Sequence, residues 1–506
     1  MSKISQAHKV DGYKLDHISQ YVKGTELVYS NMTPRSDRLA RVIRENFNGK
    51  VVFFGIQYAI KKMLHDWNET FFSKPKEEVL KKYSRRIKNY VGAAKGEKQI
   101  EAMGKLHDLG YLPLKIKALP EGSRVDMKIP VFVVQNTHPD FFWLTNYVET
   151  YLSCTIWPAC NAASLSEQYW LTSKRFAEVT GAPDFWVQIA NHCFAARGHR
   201  GEEDAMVSGA GHLLFSIGSD TLWSIDFFEE YYNADSDKEM IACSVAAFEH
   251  ATATQRIEFF GSEVEAVRDA INNIYPTGIL SYVADSRDYY KFISLGLQEL
   301  KEDILSRTED ELGLVKFVVR PDSSPKTPLE VICGDPDATT GSPEWLGSLQ
   351  LLWDIFGGTV NEKGYRVINP KVGLIYGEAI TLDMQDKIYS KMVEQGWCVS
   401  NVLFGVGSWA YLEDSSRDSY SFAIKGSHSV VEGKELSMQK TPKTAASSKT
   451  SARGLLRVEK EGDKFVLYDQ VSWEQEAQGE LKVVFQDGML YNETSLSEIR
   501  NLLWNN

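Results

Sequence analysis

The 506-residue chain has no run of 18 apolar residues, no CxxC pair, no excess of basic charge and no internal repeat. Without an apolar run of that length, no segment reads as a membrane-spanning helix. The N-terminal MSKISQAHKVDGYKLDH has no apolar stretch of the kind a secretory leader needs, so a soluble, cytoplasmic protein is expected. Its six cysteines (154, 160, 193, 243, 333 and 398) are scattered, which argues against a disulfide framework and fits a reducing compartment. A total of 56 Lys and Arg against 68 Asp and Glu leaves a net charge of −12. That balance excludes nucleic-acid binding driven by overall charge, while leaving room for a local basic patch. What remains is an ordinary globular composition, 43% apolar and 25% charged, long enough for two domains or one elaborated barrel.

Along the chain, residues 11–35 mix aromatics, charge and turn formers and read as contact surface. Val51–Met63 and Lys76–Leu109 carry helical spacing, Leu112–Ala118 and Pro130–Gln135 read as strands, and an aromatic helical block follows from Phe141 to about Glu178. From Phe185 to about Cys398 short apolar strands alternate with amphipathic helices, the pattern of a parallel α/β sheet or barrel. Ser427–Arg453, polar and locally basic at Lys434, Lys440, Lys443, Lys449 and Arg453, reads as a long mobile loop. Leu455–Leu490 alternates like antiparallel strands, and a closing helix is expected from about Ser495 to Trp504. The expected architecture is therefore α/β. An irregular (β/α) barrel occupies 156–409, and a second, β-rich domain is built from 1–155 and 410–506.

Three strand ends carry the chemistry. Phe317-Val318-Val319 is a short buried strand that stops at Arg320-Pro321-Asp322, because Pro321 cannot continue a central ladder. Arg320 and Asp322 read either as a strand-capping ion pair or as an anion site with its metal or hydroxyls. Gly373–Glu378 and Val402–Ser408 are strands that finish on glycine (Gly377, Gly405, Gly407), where backbone N–H groups can approach a phosphate and a helix N-terminus follows. Together they suggest a phosphosugar site at the carboxyl ends of barrel strands. Upstream, HCFAARG (192–198) sets Phe194 three residues before Arg197, GSDT (218–221) places Asp220 in a turn, and FEHAT (248–252) puts Glu249 and His250 among small residues. Asp220 reads also as a helix N-cap, Phe194 as core and His250 as a structural histidine.

These stretches, with DGYK (11–14), GYLPLKIKALPEG (110–122), QNTHPDFFWLTNYVET (135–150), DSRDYY (285–290), VVRPDS (318–323), LFGVGS (403–408) and SRD (416–418), resemble the nicotinamide phosphoribosyltransferases of the type II phosphoribosyltransferase family in order and nearly end to end. The resemblance implies transfer from 5-phosphoribosyl-1-pyrophosphate to nicotinamide, giving nicotinamide mononucleotide and pyrophosphate, in a homodimer with shared sites and with no nucleic-acid or membrane partner. By matching position it implies that Phe194 and the partner subunit's Tyr13 sandwich the pyridine ring, and that Asp220 accepts from the carboxamide NH2. Arg320, Ser244 and Ser281 fall on the carbonyl side of the amide. Arg197, Asp285 and Asp322 fall at the phosphoribosyl group, the two aspartates through the waters of magnesium (Mg2+). Gly377 and Glu378 fall at the ribose, Gly405 and Gly407 at the phosphate, and Arg35, Arg417, Lys425 and Lys440 on pyrophosphate and phosphate groups across the dimer. His250 matches a histidine phosphorylated by ATP, an activating co-substrate, with Glu249 beside it to orient the imidazole.

The chain departs from the family's pattern at Glu378, which replaces aspartate, at Ala195-Ala196, which replaces Gly-Tyr, and at Ser408-Trp409, which replaces part of a glycine run. The nearest alternative is a nicotinate phosphoribosyltransferase, which a carboxylate at Asp220 disfavours. A non-catalytic nucleotide-binding or signalling protein on the same scaffold would have no need of His250, Arg197 and Asp322 together.

Overall fold

Val315–Arg320 is a strand whose middle residues Phe317, Val318 and Val319 are all buried. Burial on both faces is what a central parallel strand requires, and its neighbours on both sides are parallel. The strand is one of seven in a computed structural model that describes residues 4–40, 47–92, 96–323, 326–413, 415–440 and 451–505. In chain order the strands are β1 (Asn191–Cys193), β2 (Gly218–Ser219), β3 (Ala246–Ala247), β4 (Gly278–Val283), β5 (Val315–Arg320), β6 (Val372–Tyr376) and β7 (Val402–Val406). Their spatial order is β2-β1-β7-β6-β5-β4-β3. A parallel bridge from Gly218 to Cys243, just before β3, links the two edges, so the sheet curls into an irregular (β/α) barrel. Helices such as Glu202–Leu213, His250–Phe260 and Leu382–Glu394 connect successive strands. Thr381 caps the last of these by accepting from the Met384 N–H. This barrel unit comprises Leu165–Ile225 and Ser236–Glu413.

The second unit, Met1–Ser164 with Asp226–Asp235 and Asp414–Asn506, is built on a seven-stranded sheet. Its order is Lys434–Ser437, Ala423–Val431, Thr25–Thr33, Phe132–Asn136, Leu114–Ala118, Lys482–Gln486, Met489–Leu490. Neighbouring strands pair antiparallel, so segments from the two ends of the chain share one sheet. Two hairpins fall in the stretch expected to form antiparallel strands, Leu455–Glu461 with Lys464–Val471 and Lys482–Gln486 with Met489–Leu490. The closing helix Leu496–Trp504 starts at a capping box between Ser495 and Glu498.

Four local expectations are corrected. Residues 11–35 are not all surface, because Thr25–Thr33 is a central strand with Val28, Tyr29 and Met32 at 1% exposure or less. Ser427–Arg453 is not one loop, since it begins within the strand Ala423–Val431 and runs on through Lys434–Ser437; Lys443 and Lys449 lie outside the described residues. Val51–Met63 divides, with Lys50–Val52 pairing as a strand before Gly55, at φ +100°, turns the chain into the helix Ile56–Trp67. A run such as Val-Val-Phe-Phe suits either period, and the Val51–Val125 pairing settles it. Lys76–Leu109 forms two helices, Lys76–Tyr90 and Glu97–Leu109, the first ending just before the left-handed Gly92 (φ +120°). Among the described residues no helix is long and apolar enough to cross a membrane.

Candidate active site

β1 points alternate residues to one face, so His192 and Phe194 emerge together at its carboxyl end, ring centroids 5.0 Å apart. The Phe194 N–H continues the ladder to the Val406 carbonyl at 2.9 Å. Its ring lies against the ends of β6 and β7. A Cβ on Gly377 would come within 2.9 Å of the ring, and one on Gly405 would overlap it. Glycine at these two strand ends therefore makes room for an aromatic ring. Gly407 is different: a Cβ there would meet nothing within 4 Å. The departure at Ser408 is absorbed by Gly198, whose missing side chain leaves the space that the Ser408 hydroxyl fills.

Asp220 follows β2 and is tied back by its N–H to the Cys193 carbonyl at 3.1 Å. Its carboxylate does not cap the next helix. Oδ1 accepts from His192 Nε2 at 3.0 Å and from Ser244 Oγ at 2.6 Å. Burial raises this carboxyl, but the hydrogen bonds from His192 and Ser244 and the charge of nearby Arg320 outweigh it, leaving Asp220 below the ordinary carboxylate range. Asp220 is thus an ionised acceptor, half exposed. Ser244 was expected on the carbonyl side of an amide. Its single proton goes to Asp220 instead, so in this arrangement it is not available to a carbonyl. Ser281 is buried on β4, paired with Val318 of β5 and Ala247 of β3.

The second cluster gathers at the ends of β4 and β5. His250 opens the helix His250–Phe260, with Nε2 2.9 Å from Asp285 Oδ1 and Nδ1 3.8 Å from Asp322 Oδ2. Ser323 Oγ donates to the other Asp285 oxygen. Both imidazole nitrogens therefore face aspartates. Glu249 sits one residue before the helix without a capping bond, and the contacts of the ring nitrogens are to Asp285 and Asp322. Arg320, the last residue of β5, donates from Nη2 to the Phe248 carbonyl at 2.9 Å, while its buried Nε has no partner. The two clusters meet at Gly377, whose absent Cβ would also lie 3.7 Å from Asp322 Oδ1. Arg197 and Glu378 are exposed at the same strand ends. Among the described residues no three His, Cys, Asp or Glu side chains form a metal cage. Asp285 and Asp322 fit an ion such as magnesium that keeps its waters and takes its remaining ligands from a polyphosphate.

In the β-rich unit the basic residues expected at phosphate groups share one neighbourhood. Lys425 is pushed down by burial and by the cations Arg35, Lys440 and Arg417, with Glu149 opposing. Arg35 is lowered by burial and by Arg417, and it donates from Nε to the Ser421 carbonyl at 2.9 Å. Arg417 also acts on Tyr13, whose ring is 65% exposed. Arg35, Arg417 and Lys440 all act on Lys425, with Glu149 and Asp418 only partly offsetting them, and an excess of positive charge of this kind suits a multiply charged anion.

Comparison with known proteins places this geometry. A model of the nicotinamide phosphoribosyltransferase N-terminal domain matches residues 5–92, and one of the nicotinate phosphoribosyltransferase (NAPRTase) family matches residues 189–489. A nicotinamide phosphoribosyltransferase of Acinetobacter baylyi is 45% identical over 502 residues, 99% of this chain and 97% of that one. The chain belongs to the nicotinamide phosphoribosyltransferases of the NAPRTase family. It is therefore a phosphoribosyltransferase. A nicotinamide phosphoribosyltransferase of Xanthomonas campestris pv. campestris is 28% identical, covering 97% of this chain and 96% of its own length. The fold is shared with a nicotinate-nucleotide pyrophosphorylase from Pyrococcus furiosus at a TM-score of 0.55 and 13% identity, covering 99% of this chain and 95% of that one.

Two residues of this phosphoribosyltransferase site were not singled out by the sequence, His192 and Ser323. The signal for His192 was present, because it lies two before Phe194 on a strand and must share its face. Ser323 follows the site residue Asp322, but its bond to Asp285 joins two strand ends 38 residues apart, which local sequence does not disclose.

Proposed function

We propose that the chain transfers the phosphoribosyl group of 5-phosphoribosyl-1-pyrophosphate to nicotinamide, giving nicotinamide mononucleotide and pyrophosphate for NAD salvage in the cytoplasm. The pyridine nitrogen lone pair forms the new bond to the anomeric carbon as the carbon–oxygen bond to pyrophosphate breaks. Phe194 supports one face of the ring, and Tyr13 of the partner subunit supplies the other in a homodimer. Arg35, Arg417, Lys425 and Lys440, also borrowed across the dimer, take up the charge that accumulates on the leaving group. Magnesium, held through water by Asp285 and Asp322, would add charge neutralisation at the pyrophosphate. ATP donates its γ-phosphoryl group to an imidazole nitrogen of His250, releasing ADP, and Asp285 and Asp322 hold that ring in position.

The observation that carries the choice of nicotinamide over nicotinate is the half-exposed Asp220 carboxylate, held as an acceptor by hydrogen bonds from His192 and Ser244. Nicotinate would bring a second negative charge to this carboxylate. At ~4 Å the repulsion lies between about 1 kcal/mol in water and about 4 kcal/mol near a protein surface. That corresponds to a preference of roughly fivefold to a thousandfold. The test is to incubate purified protein with phosphoribosyl pyrophosphate, magnesium and either base, with and without ATP, and identify the mononucleotide formed. Nicotinamide mononucleotide is expected, stimulated by ATP. Product from nicotinate alone overturns the reading, and a His250→Ala variant that still responds to ATP removes the phosphohistidine step.

A further inference from the structure

We infer that His192 is a specificity-determining positioning residue, which with Ser244 fixes the Asp220 carboxylate so that Oδ2 alone recognises the ligand's NH2 group. The inference rests on the proposed nicotinamide reading and assigns the selectivity of that site to a residue that does not itself need to touch the base. Oδ1 of Asp220 already accepts two hydrogen bonds, from His192 Nε2 at 3.0 Å and Ser244 Oγ at 2.6 Å. Among the described residues no side chain donates to Oδ2. A carboxylate anchored through one oxygen cannot rotate freely, so its second oxygen points in one direction as a pure acceptor.

The histidine is itself held. It pairs with Gly218 across the parallel ladder, and a Cβ on Gly218 would stand 2.8 Å from its Nδ1. Its ring packs 5.0 Å from Phe194, so one side chain contacts both the ring support and the acceptor. The side chain is only 13% exposed, against 49% for Asp220, which leaves the aspartate to meet the ligand. The Asp220 bond fixes the tautomer: Nε2 must carry a proton. Without that donor the half-buried carboxylate loses one of the two bonds that favour its charge. It then becomes both freer to rotate and easier to protonate, and a protonated Asp220 no longer repels a carboxylate ligand.

Two substitutions separate donation from packing. His192→Phe keeps an aromatic ring against Phe194 and removes the donor, and His192→Gln places an amide N–H near the position of Nε2. For His192→Phe, KM for nicotinamide should rise about tenfold with a smaller change in kcat, and the nicotinamide-to-nicotinate ratio of kcat/KM should fall about tenfold. His192→Gln should recover the ratio to within about threefold of wild type. Equal loss of the ratio in both variants, or a ratio unchanged in His192→Phe, overturns the positioning role. Thermal melting and far-UV circular dichroism establish that both variants are folded. If wild type makes no nicotinamide mononucleotide, the functional reading fails on its own account. In that case the His192–Asp220 coupling is still read from the Asp220 carboxyl titration by NMR, which should move upward in His192→Phe and overturns the inference if it stays in place.

Discussion

The two halves of the proposed chemistry differ in how the protein's own groups satisfy them. In the barrel unit the aspartates and His250 are matched: Asp220 by His192 and Ser244, His250 by Asp285 and Asp322, and Asp285 also by Ser323. In the β-rich unit cations are in excess: burial together with Arg35, Lys440 and Arg417 holds the Lys425 ammonium below its ordinary range against the opposing Glu149. A preformed, hydrogen-bonded acceptor suits a small uncharged base that must be told from its acid. A cluster in which cations are in excess suits a polyanion whose charge offsets them. The proposed reaction accordingly assigns selectivity to the barrel and salt-dependent affinity to the β-rich unit.

The largest effect should come from breaking the matched half. Gly405→Ala drives a Cβ into the Phe194 ring, and a displacement on the order of 1 Å in a positioning group costs about 100-fold in rate. Steady-state kinetics with nicotinamide should show that loss in kcat/KM without loss of the folded state, and a variant within threefold of wild type would show that Phe194 is free to move aside.

An intermediate effect is expected in the basic half. Lys425→Met should raise KM for phosphoribosyl pyrophosphate about tenfold while leaving the nicotinamide-to-nicotinate ratio unchanged. The sign of its titration gives a second readout. A lysine whose folded pKa lies below the unfolded value opposes folding while protonated, and stability rises as pH passes upward from the depressed value toward the ordinary one. A bound polyanion raises that pKa again, so binding of pyrophosphate should take up protons at alkaline pH. Calorimetry in buffers of different ionisation enthalpy measures the uptake, and its persistence in Lys425→Met would assign it elsewhere. The smallest effect belongs to Arg417, which is 56% exposed and already paired with Asp418 at 3.4 Å. Arg417→Ala should change KM for phosphoribosyl pyrophosphate about threefold, and less at high salt.

How much of this was legible in the sequence follows the same division. The β5 strand and its stop at Arg320-Pro321-Asp322 could be read locally, because an apolar run closed by proline has few alternatives. The alternation of strands and helices disclosed the barrel. Thr25–Thr33 was hidden because its neighbours mix charge and aromatics, and its core position comes from pairing with Ala423–Val431, nearly 400 residues away. In the site, residue identities were readable from motif order, but the pairing was not. Gly377 and Gly405 serve an aromatic ring from β1, and the partners of His250 are Asp285 and Asp322, not the adjacent Glu249. Each is a contact between strand ends distant in sequence, created by the curl of the sheet.

The division of labour is tested most directly by equilibrium calorimetry of the purified protein with nicotinamide and with nicotinate, each in the presence of pyrophosphate. Nicotinamide should bind, and nicotinate should bind at least fivefold more weakly at neutral pH, about 1 kcal/mol or more. Nicotinate binding as tightly as nicotinamide would contradict it.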